Sequence, residues 1–310
     1  MSTKLGEFDM AWQTPWTNSD IPHKIPIVNV AIVTVVMPAL NAVGTIGEQL
    51  EALAAQQTNV PWELVVVDNG STDGTVTVAE SFRDRLPRLV VVSCSRPGAN
   101  AARNLGARSG SGELLLYCDA DDRVAPGWLD AMARALEQTD VVGGRIDNDA
   151  FGSTMERHPD GVPVAAGFLP RAITANLGVR RSAWSAVGGF AEDYEYGCTD
   201  TEFCWRLQLA GYQIGYAEDA VVAYRHRSSL RAAAVKSYRT ARSRGRLFRD
   251  FGPHGMPRPR LVGVGWRWAR LVVTAPLAPF SARRRWQWVT EAAGAAGRVV
   301  GSVRFRVRYL

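Results

Sequence analysis

Cysteine is scarce. The 310 residues hold only Cys94, Cys118, Cys198 and Cys204, separated by 24, 80 and 6 positions. No CxxC pair occurs, so neither a zinc site nor a thioredoxin-type motif is supported. A chain of this length has no need of a disulfide scaffold, and a reducing compartment is the default expectation. Long apolar runs are missing too. No stretch reaches about 18 consecutive apolar residues, so no membrane-spanning helix is expected. The N-terminus lacks the charged, apolar, small-residue order of a secretory signal. Neither GxGxxG nor a Walker A sequence is present, which leaves dinucleotide binding and P-loop chemistry without their fingerprints. Lysine is nearly absent: Lys4, Lys24 and Lys236 stand among 36 basic residues, which bears on codon usage rather than chemistry.

What is present is a globular composition, 46% hydrophobic and 21% charged, long enough for one large domain or one domain with an appendage. The formal net charge of +6 hides an uneven distribution. Residues 229–310 contain 18 Lys+Arg against Asp250 and Glu291, a net of +16; the remaining residues contain 18 Lys+Arg and 28 acids, a net of −10. An acidic body carries a basic tail.

Residues 1–29 are polar and proline-punctuated and read as an arm. The pattern predicts buried strands at Val30–Met37, Trp62–Val67, Leu89–Ser93 and Glu113–Cys118. Helices are predicted at Gly44–Ala55, Thr75–Phe82, Ala99–Ala107 and Pro126–Glu137, the last with proline at its first position. Strand and helix alternating four times mean an α/β domain with a mostly parallel sheet, over residues 30–228. Residues 140–222 are looser, with a helical segment at Asp200–Leu209. In parallel sheets ligands bind beyond the carboxyl ends of the strands. Pro38–Asn41, Asp68–Asp73 and Asp119–Asp122 all fall there.

Asp119-Ala120-Asp121-Asp122 is the strongest chemical feature. Three carboxylates in four residues repel one another, and a divalent cation with hard oxygen ligands, Mg²⁺ or Mn²⁺, is the usual compensation. An acidic turn leading into a helix is the bland alternative. In Val65–Asp73, Asp68 can accept bonds from a base or ribose, and Ser71 or Thr72 can cap the next helix. An Asx-type turn would explain the same residues. Gly98–Gly106 places Arg103 near the site, where it can pair with a diphosphate or lie on the surface.

VTVVMPALN, VVVDNGSTDGT, ARNLGARSGSGELLLYCDADD and GGFAEDYEYGCTDTEFCWRLQLAG occur in this order. Together they resemble the family 2 inverting glycosyltransferases of bacterial cell-envelope type, with the GT-A fold, over about residues 30–230. The resemblance implies a three-layer αβα domain and a metal-dependent transfer from a nucleotide sugar, a UDP sugar favoured, to a glycan or polyprenyl-linked acceptor. It implies that Pro38, Ala39, Asn41 and Asp68 line the base and ribose pocket. Asp119 then faces the ribose and Asp121 coordinates the metal, with no role assigned to Asp122. The family's Glu-Asp pair reads Thr199-Asp200 here, making Asp200 the catalytic base. An N-cap role for Asp200 is compatible with that. Arg206 reads as structural. His226, in Tyr224–Arg227, is a third metal ligand or diphosphate contact, against the commoner structural role of a lone histidine. A nucleotidyltransferase would want a basic phosphate loop after the first strand, which PALNAVGTIGEQ lacks; a non-catalytic scaffold would not need the complete motif positions.

In residues 229–310, Trp286, Val289, Ala293, Ala296, Val300, Val303 and Val307 recur at helical spacing between arginines. Basic residues with tryptophan on such a helix predict a segment in the interface of an anionic membrane, peripheral at the cytoplasmic face. Packing of the tail on the acidic body is the alternative. A nucleic-acid partner is not expected, since the arginines alternate with an apolar stripe.

Overall fold

The computed structural model describes residues 33–152, 157–194, 197–227 and 229–310. The expected arm over residues 1–29 and positions 30–32 of the first strand lie outside them. From there the chain alternates as its apolar runs predict. β1 (Val33–Ala39) leads to α1 (Ile46–Ala54), β2 (Trp62–Asp68) to α2 (Thr75–Glu80), and β3 (Leu89–Ser93) to α3 (Ala99–Ser109). β4 (Leu114–Cys118) passes through the short β5 (Arg123–Val124) to α4 (Trp128–Gln138). The looser stretch yields β6 (Val141–Asp147), the hairpin of β7 (Val164–Ala165) and β8 (Leu169–Pro170), β9 (Asn176–Arg180), α5 (Arg181–Ala186), α6 (Thr199–Leu209) and β10 (Ile214–Ala223). Three helices follow: α7 (Leu230–Phe251), α8 (Leu261–Thr274) and α9 (Ala282–Arg304).

Eight strands make one sheet in the order β3-β2-β1-β4-β9-β6-β10-β5. The pairs β1–β2, β2–β3, β1–β4 and β6–β10 are parallel. β9 runs antiparallel to β4 and β6, and β5 antiparallel to β10. Side-chain alternation in β1 fills two cores. Val33, Val35 and Met37 pack with Leu50, Leu53 and Trp128 from α1 and α4. Val36 faces Ala107, Phe203 and Leu207 from α3 and α6. Covered on both faces, such a strand needs the continuous apolar run it has.

Some helix starts differ from the sequence expectation, and α1, expected from Gly44, begins at Ile46. The helix expected from Pro126 begins at Trp128, behind Gly127 at φ 77°, so Pro126 precedes it. Neither Ser71 nor Thr72 caps α2; Asp73 Oδ1 accepts the Thr75 N–H at 3.0 Å.

The tail is docked on the body. Phe251 of α7 meets Trp205 of α6 edge to face at 5.2 Å, and Arg246 pairs with Asp193 at 2.6 Å. α7 and α9 approach closely: a Cβ on Gly297 would lie 2.3 Å from the Tyr238 carbonyl oxygen, and one on Gly301 2.3 Å from that of Arg242. The face of α9 buried on α7 is therefore its small-residue face, and Val300 and Val303 stay exposed. α8 and the following turn (Ala275–Phe280) expose still more apolar surface, with Trp266 73% and Phe280 79% accessible. No helix among the described residues is long and apolar enough to cross a membrane.

Candidate active site

β1 lies between β2 and β4, so the carboxyl ends of these three strands sit side by side. At the first two, Ala39 stands opposite Asp68 and Pro38 opposite Val67. Asn41 takes φ 49°, a left-handed geometry that asparagine tolerates. Its N–H donates to Ser71 Oγ at 2.9 Å, and its Oδ1 accepts the Thr72 N–H at 2.9 Å. Asp68 Oδ1 accepts the Ser71 N–H at 3.0 Å. Pro38, Ala39, Asn41 and Asp68 thus belong to one cross-braced rim.

At the end of β4, carboxylate oxygens of Asp119, Asp121 and Asp122 lie within 4.8 Å of one another. Asp122 is 1% exposed; its Oδ1 accepts the Arg225 N–H at 2.7 Å, and its Oδ2 has no hydrogen-bond partner. Burial, then the charges of Asp119 and Asp121, hold the Asp122 carboxyl well above the usual carboxylate range. Burial and then Asp119 push Asp121 up as well, against the pull of Arg227 and Arg225. A buried carboxylate oxygen with no donor, beside two further carboxylates, fits a hard divalent cation such as Mg²⁺ or Mn²⁺.

Arg103 is buried, and the structure pairs it with Asp119, Nη2 to Oδ1 at 3.3 Å, not with solvent. His226 does not enter the carboxylate group. It is buried, its Nε2 lies 3.0 Å from Asn148 Oδ1, and its ring stacks on His158 at 5.8 Å.

Asp200 occupies the first turn of α6, behind Cys198 at φ 61°. Cys198, not Asp200, takes the cap position, and no side chain caps the helix. Asp200 Oδ1 accepts the Thr201 N–H at 2.7 Å, and Oδ2 accepts from Arg171 Nη1 at 3.0 Å. Both side chains are 21% exposed. Arg206 clasps Glu202 and donates to the carbonyls of Val187 and Gly189 at 2.6 and 2.7 Å, holding the loop before α6. α3 carries that loop toward the carboxylates. Asn100 and Asn104 donate to the carbonyls of Ala191 and Phe190, and Arg103 lies over the Phe190 ring.

Three residues here escaped the sequence reading. Gln49 is fully buried; its Nε2 donates to the Asp119 carbonyl at 3.1 Å and its Oε1 accepts the Val124 N–H at 2.9 Å. The signal was a polar residue inside the apolar face of Ile46, Leu50 and Leu53. Arg225 donates from Nε to the Asp121 carbonyl at 2.9 Å and pairs with Glu48. The pairing of β5 with β10 delivers it there. Arg171 had no local signal.

The family model for Glycosyl transferase family 2 matches residues 34–186. Residues 34–186 form a glycosyltransferase family 2 domain. The family match runs from β1 through α5 and includes the acidic turn, while Asp200 and His226 lie beyond it. Glycosyltransferase AglE of Haloferax volcanii is 30% identical over 199 residues, 61% of this chain and 65% of AglE, just under two thirds of that protein's length. Succinoglycan biosynthesis protein ExoM of Rhizobium meliloti is 26% identical over 301 residues, 91% of this chain and 94% of ExoM. In fold, the chain resembles the mannosyltransferase PcManGT from Pyrobaculum calidifontis, solved with GDP-Man and Mn²⁺. The TM-score is 0.62 at 19% identity, over 88% of this chain and 87% of that one.

Proposed function

We propose that this chain, through its family 2 domain, moves a sugar from a nucleotide-sugar donor, a UDP sugar first among them, to a hydroxyl of a lipid-linked or cell-envelope glycan. The observation that carries the reading is the group of three carboxylates, the partly buried Asp119 and Asp121 with the buried Asp122, at the carboxyl end of β4. Asp121, with Asp119 and Asp122 beside it, would hold Mn²⁺ or Mg²⁺; His226 is assigned to positioning Asn148 and the β6 end. When bound, such an ion offsets negative charge on the departing nucleoside diphosphate.

Pro38, Ala39, Asn41 and Asp68 form the wall for base and ribose. Arg103 fixes the Asp119 carboxylate and keeps it from turning toward its neighbours. Asp200 takes the proton of the acceptor hydroxyl as that oxygen attacks the anomeric carbon opposite the leaving group. One displacement with one base inverts the configuration and needs no protein nucleophile. Arg171 holds the Asp200 carboxylate in place for that transfer. The name of ExoM, a succinoglycan biosynthesis protein, supports an envelope-type glycan product, and the metal in the PcManGT structure supports divalent-cation use.

The domains are read as a catalytic body over residues 30–228 and a helical tail over 229–310 that meets an anionic membrane surface. The apolar side chains that α8 and its following turn expose support this, flanked by Arg258, Arg260, Arg283 and Arg284. A thermal-shift screen of nucleotide sugars with Mn²⁺ tests the donor assignment. Cation-dependent stabilisation by at least one nucleotide sugar is expected; none from a full panel would sink it.

A further inference from the structure

α7, α8 and α9 enclose a cleft of about 870 Å³ that opens beside a smaller one of about 160 Å³ under the C-terminal residues. Arg244, Arg267 and Arg298 line both. Arg270 and Arg258 add to the walls, and Glu291, which is paired with Arg270, is the one acid among the lining residues. None of Arg244, Arg267 and Arg298 makes an ion pair with a carboxylate among the described residues. Burial, then the charges of Arg267 and Arg244, pull the Arg298 guanidinium down to about 10. Three gathered guanidinium groups, with Glu291 as the one acidic side chain beside them and itself engaged by Arg270, are costly unless an anion joins them. The planar donor fork of arginine suits phosphate oxygens.

Beside Ser237, Thr274 and Thr290, the cleft has an apolar wall. Trp266 and Val273 belong to its wall, and both are more than two-thirds exposed, at 73% and 72%. A ligand whose charged end meets the arginines would lay its other end on hydrocarbon that faces outward. That combination describes an amphiphile rather than a free ion. The cleft also reaches toward the start of α6. Arg244 interacts with the Cys198 thiol, whose Sγ donates to the Thr240 carbonyl at 3.5 Å. Cys198 in turn precedes α6 and Asp200.

We propose that this cleft holds the phosphate of a lipid-linked acceptor, with Arg244, Arg267 and Arg298 on the phosphate oxygens and the hydrocarbon over Trp266 and Val273. The proposal deepens the transferase reading above and rests on it for the acceptor's role. A phosphate held at Arg244 places the sugar attached to it beside the loop that carries Asp200.

The test uses the full chain in EDTA, so that no divalent cation recruits phosphate to the carboxylates, with farnesyl monophosphate as probe. Saturable binding is expected, about tenfold or more tighter than that of farnesol or inorganic phosphate. Arg267→Gln with Arg298→Gln should weaken it about tenfold or more, the scale of a lost charge-assisted hydrogen bond. Arg298→Lys should lose less. Trp266→Ser with Val273→Ser, which leaves the arginines in place, should weaken farnesyl monophosphate and spare inorganic phosphate. Unchanged affinity in the arginine variants, or equal affinity for inorganic phosphate or farnesol, overturns the proposal. Binding of UDP with Mn²⁺ is measured on every variant and should not change. Farnesyl monophosphate binding without any nucleotide-sugar binding would overturn the transferase reading and leave the lipid-phosphate cleft standing.

Discussion

Arg171 Nη1 donates to Asp200 Oδ2 at 3.0 Å, joining the end of the β7–β8 hairpin to the first turn of α6. The pair stays partly exposed to water, which makes it an orienting contact more than a stability element. Its prediction is kinetic. Arg171→Ala should lower kcat about 10- to 100-fold, the loss of one charge-assisted bond on the base, with donor KM little changed. Arg171→Lys should recover part of the rate. A variant with raised donor KM and normal kcat would place Arg171 in donor binding instead.

The acidic turn predicts a pH dependence of stability. Asp121 and Asp122 have carboxyls raised by burial in the folded protein. Their protonated forms favour folding below the ordinary carboxylate pKa. That contribution is lost as pH rises through the raised folded values. Without divalent cation, Asp121→Asn with Asp122→Asn should therefore be more stable than wild type at pH 7, and the gain should vanish toward pH 4. Mn²⁺ should stabilise wild type more at pH 7.5 than at pH 5, since it must displace protons from the same groups. A variant no more stable at neutral pH, in chemical denaturation without metal, would contradict the buried-charge account.

Gln49 ties α1 to both sides of the acidic turn through two hydrogen bonds, one part-buried and one buried. Gln49→Leu keeps the volume but leaves the Asp119 carbonyl and the Val124 N–H unpaired. Denaturation should report a loss of about 2–4 kcal/mol. A loss under about 0.5 kcal/mol would show that water replaces both bonds.

The close α7–α9 contact changes how membrane binding is tested. Gly297→Val would drive side-chain atoms into the Tyr238 carbonyl and separate the helices. Removing 282–310 would likewise strip α7 of its partner, so lost liposome binding would not identify the contact surface. Trp266→Ser with Phe280→Ser alters exposed side chains only. That variant should keep its thermal midpoint and lose binding to anionic vesicles, about 1.5–3 kcal/mol per large apolar side chain withdrawn from the interface. Full vesicle binding by it would refute α8 as the contact.

Local pattern made much of the fold legible. The runs at β1, β2 and β4 are apolar because both sheet faces are covered, and a buried strand leaves that mark in sequence. Asp119–Asp122 was legible for the same reason, as charge where an apolar strand ends. The partners that give the site its geometry were not. Arg171 reaches Asp200 across 29 positions, and Arg225 reaches Asp122 across 103. Neither has a spacing rule to announce it. His226 sits in the expected segment, yet the pairing of β5 with β10 turns Arg225, rather than His226, onto the carboxylates. On α9, periodicity identified an apolar stripe but not that Gly294, Gly297 and Gly301 would supply the packing face.

The most direct test is sugar transfer measured together with donor binding in Asp200→Asn, once the thermal-shift screen has supplied the donor. Asp200→Asn should bind nucleotide sugar with Mn²⁺ as wild type does and lose transfer about 10²- to 10⁴-fold, the contribution of a general base. Asp121→Ala, run beside it, should lose the cation-dependent binding itself. Transfer retained in Asp200→Asn at near wild-type rate would contradict the account, because no base would then be needed at that position.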